Sequence, residues 1–126
     1  MSLEAGRLRH RVRIERLDDL RDSHGDVIQD VDTGATTPVW SEVATVWAAI
    51  EPLSAREFIQ SAAVQSAVTA RIVIRHRDDV DASMRLIHER MGRANVVYNI
   101  HGALADKESG VEYLTLLVSA GVGDGR

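Results

Sequence analysis

Apolar and polar residues alternate with a period of two over residues 7–16. Leu8, His10, Val12 and Ile14 fall on one side, and Arg7, Arg9, Arg11 and Arg13 on the other. That period predicts a strand with one apolar and one charged face, because a helix would scatter the arginines around its circumference. Residues 18–38 break the pattern with Ser23, Gly25, Gly34 and Pro38. They read as a long polar connection, a mobile ribbon extended over 27–31, and a connection of that length is often functional. Residues 39–53 are rich in β-branched and aromatic side chains and predict one long strand, bent at Ala48-Ala49.

Ser54-Ala55-Arg56-Glu57 has the capping-box spacing at the head of a short apolar run. Phe58, Ala62 and Gln65 follow at helical intervals, so a helix of two or three turns is expected over 55–66. Alternation returns over 69–77, with Ile72, Ile74 and His76 opposite Arg71, Val73, Arg75 and Arg77. Further strands are expected at 84–89, 95–104 and 111–120, and the glycine-rich tail 121–126 reads as frayed. Six strands, one helical excursion between the second and third, and no long crossover helix predict an all-β fold. The expectation is a small antiparallel β-barrel or sandwich, one domain over residues 1–126.

A chain of 126 residues suits one domain, and its 44% hydrophobic content is enough for a core. Aromatics are confined to Trp40, Trp47, Phe58, Tyr98 and Tyr113, so that core must come from Val, Ile, Leu and Ala. The absence of cysteine removes disulfides, zinc–thiolate sites and cysteine nucleophiles. No apolar run approaches the roughly 20 residues of a membrane helix, and residues 1–11 lack the apolar stretch of a secretory signal. A soluble protein made in the cytoplasm, with no membrane partner, is expected.

Charge is segregated. Five arginines lie within residues 1–16, whereas residues 18–51 hold eight carboxylates and Arg21 as their only arginine or lysine. Such separation suits docking between unlike patches, and a net charge of −4 suits a duplex binder poorly. The arginine face has two compatible readings: charges that protect an edge strand, or a surface that meets an acidic neighbour. Arg7, Arg9, Arg11 and Arg13 are therefore candidate contacts to another subunit or a neighbouring protein, with Asp22, Asp26 and Asp30 their acidic counterparts.

Catalytic and metal motifs fail one by one. His88-Glu89-Arg90-Met91-Gly92 opens like a metalloprotease motif, but the second histidine is glycine and the segment reads as a strand. Asp30-Val31-Asp32-Thr33-Gly34 and Asp78-Asp79-Val80-Asp81 lack the spacing and distal glutamate of a calcium loop. No serine lies in a nucleophile elbow. No enzyme activity, metal or cofactor is expected.

The serial order of several segments resembles the phage head–tail joining family, which includes the head-closure or stopper proteins of siphophages. The resemblance is carried by Gly6-Arg7-Leu8-Arg9-His10-Arg11-Val12-Arg13-Ile14-Glu15, by Asp22-Ser23-His24-Gly25 and by Trp40-Ser41-Glu42-Val43-Ala44-Thr45-Val46-Trp47. It continues through Ala48-Ala49-Ile50-Glu51-Pro52-Leu53, Ala70-Arg71-Ile72-Val73-Ile74-Arg75-His76-Arg77, Met84-Arg85-Leu86, Tyr98-Asn99-Ile100 and Tyr113-Leu114-Thr115-Leu116-Leu117-Val118. The resemblance implies a virion protein of the head–tail connector, assembled in the bacterial cytoplasm, in a phage, a prophage or a gene-transfer particle. It implies a homo-oligomeric ring below the portal and its adaptor that closes the channel over packaged double-stranded DNA, without sequence readout. The ring would offer a surface to a tail-completion protein. By the same resemblance the excursion 54–67 faces the channel, which makes Ser54, Arg56, Glu57, Phe58, Ile59, Gln60, Ala63 and Val64 candidate gate residues. Amphipathic spacing alone is equally compatible with a cap over the barrel mouth. The alternative class is a small nucleic-acid-binding barrel using Arg71, Arg75 and Arg77, although no aromatic lies within that strand to stack a base.

Overall fold

The computed structural model describes residues 5–60, 68–105 and 112–120. Six antiparallel strands close into a barrel in the order β1-β2-β3-β6-β5-β4. They are β1 (His10–Asp19), β2 (Pro38–Pro52), β3 (Ala70–Arg75), β4 (Arg85–His88), β5 (Val96–Ala105) and β6 (Tyr113–Ala120). A short helix, α1 (Ala55–Gln60), lies between β2 and β3.

The period-two pattern sends alternate side chains inward. Val12 and Ile14 of β1, Ala48 of β2, Ile72 and Ile74 of β3, Leu86 of β4, and Leu116 and Val118 of β6 are fully buried in one core. Closure needs strong local twist, which a bulge supplies. Register shifts occur at the Ile14/Glu15 step of β1 against β2 and at the Ile100/Gly102 step of β5 against β6. The closing seam, β1 against β4, is short: four residue pairs from Val12↔His88 to Glu15↔Arg85.

One sequence expectation needs correction. The first strand begins at His10, not residue 7, because Ala5–Arg7 form a turn of 3-10 helix. Leu8 therefore does not extend the inner face. It packs outside the barrel on Ala49, Val73 and Tyr113, an outer apolar patch that would otherwise face water. The connection after β1 carries backbone pairing of its own. β1 and β2 pair as far as Asp19↔Pro38, and the chain continues as a ribbon bridged at Arg21↔Val27 and Gln29↔Thr36.

Two aspartate-headed turns shape that ribbon. Asp22 Oδ1 accepts the backbone N–H groups of His24 and Asp26 at 2.9 and 3.0 Å, and Asp30 Oδ1 those of Asp32 and Thr33 at 2.8 and 3.1 Å. Gly25 and Gly34 stand at φ of 85° and 73°, a region L side chains rarely adopt, so each turn needs its glycine.

Candidate functional site

Each strand of the closed barrel is paired on both sides over at least part of its length, so a partner would meet mainly outward side chains. The outer face of β4, β1 and β2 is held by a buried ionic cluster. Glu15, 7% exposed, accepts from Arg13 Nε at 2.9 Å and from Arg85 Nε at 2.8 Å, and Arg13 Nη1 reaches Glu89 at 2.8 Å. The Arg85 guanidinium also lies over the Trp40 ring, 4.3 Å from its centroid.

The arginines singled out by alternation thus separate into two kinds. Arg7 pairs with Glu51 at 3.2 Å and Arg13 with Glu15 and Glu89, so both already hold carboxylates of their own chain. Arg9 and Arg11 pair with no carboxylate among the described residues; Arg11 lies 4.7 Å from the Trp47 ring centroid.

Arg9 and Arg11 share a depression of about 470 Å³ with His10, His88, Arg90 and Arg93. Among the described residues its one carboxylate, Glu89, is turned to Arg13. The two imidazoles meet edge to face with centroids 5.0 Å apart. Burial, and then the nearby His10 and Arg90, hold His88 below the usual histidine range. Arg90 and Arg93 flank Met91-Gly92 in the β4–β5 turn, and Arg90 Nη2 donates to the Ala94 carbonyl at 2.7 Å. Sequence reasoning missed both. Their signal was a basic turn, but only closure of β4 against β1 carries that turn to the start of β1.

The acidic residues lie at the other end of β1. Asp22, Asp26 and Asp30 are all exposed on the ribbon. The hydrogen bonds from Asp32 and Thr33 hold the Asp30 carboxyl below its ordinary range. Asp22 and Asp30 are thus turn-forming groups as well as surface charges.

The capping box forms as its spacing predicts. Glu57 N–H donates to Ser54 Oγ at 3.1 Å, and Ser54 N–H reaches Glu57 Oε1 at 3.4 Å. Glu57 Oε2 also accepts from Arg71 Nη1 at 2.7 Å, which ties the helix to β3 and holds that carboxyl below its usual range. The ends of the excursion are pinned together, since Leu53 N–H donates to the Thr69 carbonyl at 3.0 Å. Arg56 is exposed and Ile59 is 72% exposed. Phe58 and Gln60 lie in α1, but their side chains are outside the described set, as are Ala63, Val64 and the rest of the expected helix.

The family profile of the phage head completion protein matches residues 3–121. The chain belongs to that family. It is therefore a structural component of a phage head, located in the virion. The solution structure of protein SF1141 from Shigella flexneri 2a is similar, with 31% identity, coverage of 97% of this chain and 100% of that one, and a TM-score of 0.72. A chain in the virion of a native gene transfer agent particle shares the fold at 19% identity, covering 92% of this chain and 97% of that one, with a TM-score of 0.51. A search of curated proteins finds no match.

Trp47 of β2 stands with Arg75, His76 and Arg77 around a groove of about 310 Å³. The sheet thus brings an aromatic to the basic strand, which the linear sequence did not reveal. Arg11 lies over that ring, Arg77 is held bidentate by Asp79 at 2.9 and 2.8 Å, and Arg71 is held by Glu57. Few free groups remain there to stack or grip a nucleic acid.

Proposed function

We propose that this head completion protein is one subunit of a homo-oligomeric ring set below the portal and its adaptor. The ring closes the channel over packaged double-stranded DNA and presents a surface to the tail-completion protein. The observation that carries the reading is a closed barrel bearing two projections, the ribbon after β1 and the excursion after β2. The segregation of arginines in residues 1–16 from carboxylates in 18–51 supports contact between unlike surfaces, and heterologous contacts whose rotation closes make rings.

The excursion 54–67 is the segment assigned to the channel, with Ser54 and Glu57 fixing its root and Ile59 offering an apolar contact to a symmetry mate. The arginines and the ribbon aspartates serve subunit and adaptor contacts. A channel through which DNA must slide should hold phosphates weakly, and the net charge of −4 is consistent with that.

Electron microscopy of the protein mixed with its adaptor on portal assemblies tests the reading. An added ring of density is expected; adaptor particles that never gain one would refute it. Particles carrying a glycine-serine replacement of residues 56–66 are expected to join tails but leak DNA. Full DNA retention would remove the gate role and leave the excursion as a cap.

A further inference from the structure

The ribbon and the basic depression belong to opposite ends of β1. That strand has ten residues, so about 30 Å separates His10 from Asp19 within one copy. The ribbon departs beyond Asp19, and none of its residues lines the depression. A second copy can bring its own ribbon there.

We propose that the acidic ribbon of one copy docks into the basic depression of the next. This inference rests on the ring reading and names the contact that propagates it. The receiving groups are Arg9, His10, Arg11, His88, Arg90 and Arg93. Glu89 at the same place is already spent on Arg13, so it offers the incoming carboxylates little repulsion. The donor is the ribbon tip, where Asp22, Asp26, Asp30 and Asp32 accompany a single arginine, Arg21.

The turns help. Asp22 and Asp30 use their side-chain oxygens to lock two backbone bends, while Asp26 and Asp32 join those bends through backbone groups. The ribbon thus arrives folded, which lowers the ordering cost of docking. The chain's net charge of −4 favours a protein carboxylate over a DNA phosphate backbone as the occupant. Because donor and receiver are different surfaces, the contact is head-to-tail and repeats around a ring.

Charge-swap variants test this with the full chain. Arg9→Glu with Arg93→Glu reverses two of the receiver's four arginines while leaving the Arg90–Ala94 contact in place. Asp26→Arg with Asp32→Arg reverses two of the donor's four aspartates without touching the two turn-forming oxygens. Sedimentation velocity at increasing protein concentration, and ring formation on the adaptor, are the readouts; circular dichroism verifies the fold. Each reversal alone is expected to weaken self-association at least about tenfold. The chain carrying all four substitutions, or an equimolar mixture of the two reversed proteins, is expected to regain it. If wild-type rings form on the adaptor and both reversals leave them intact, the docking contact is wrong while the ring reading stands. If the wild-type protein forms no ring at all, the ring reading itself fails. Binding of duplex DNA at low salt that is lost with the receiver reversal, together with no effect of the ribbon reversal, would make phosphate the occupant and overturn the proposal.

Discussion

Replacing Glu15 by alanine should loosen the barrel at its closing seam. β1 meets β4 through four residue pairs, against ten between β1 and β2, so the seam has little backbone pairing to lose. Glu15 is 7% exposed and bridges Arg13 on its own strand to Arg85 across the seam. Its removal leaves two guanidiniums facing each other without their common carboxylate. Breaking a fully buried ion pair costs about 3–5 kcal/mol. Here Arg13 keeps Glu89 and Arg85 keeps the Trp40 ring, so about 2–3 kcal/mol is expected. For a domain of this size that corresponds to a fall in Tm of roughly 10 °C. Thermal unfolding followed by circular dichroism measures it, and hydrogen exchange should show faster opening of residues 85–88 than of β3. Glu15→Gln, which keeps the shape but not the charge, should fall between. A loss below about 2 °C for the alanine variant would show that the ionic cluster does not hold the seam.

Three further outcomes follow from the same geometry. Leu116→Ala empties a fully buried site in the barrel core and should cost about 3–4 kcal/mol in a urea titration, with the m-value unchanged. Ser54→Ala removes the Oγ that accepts Glu57 N–H and should cost about 1 kcal/mol, seen as faster amide exchange at 55–58 with the barrel unaffected. His88 has its native pKa depressed below its unfolded value, so the unfolded chain binds the extra proton first. Its contribution is therefore fully present above about pH 6.5 and lost as pH falls from there through the lowered native pKa. His88→Gln should flatten the Tm-against-pH curve across that window; an unchanged slope would refute the assignment.

Much of the barrel could be read along the chain because inward residues recur every second position. Val12 and Ile14, Ile72 and Ile74, and Leu114, Leu116 and Val118 report their face directly. The capping box at Ser54 and Glu57 was equally local, needing partners only three residues apart. Leu8 misled for the same reason. It continues the alternation in sequence, but a turn of 3-10 helix breaks the strand before it and sends it to the outer patch.

The candidate contact surface was legible only in part. The sequence itself determined the alternation, the six-strand count, the lack of cysteine and the segregation of arginines from aspartates, since these are properties of neighbours along the backbone. Tertiary structure alone decided which arginines are engaged: Arg7 and Arg13 find carboxylates 44 and 76 residues away. It also decided that Arg90 and Arg93 stand beside Arg9 and Arg11, and that Trp47 joins Arg75. Pairing between distant strands sets those distances, and a charge pattern cannot be sorted into satisfied and available groups until the barrel has closed.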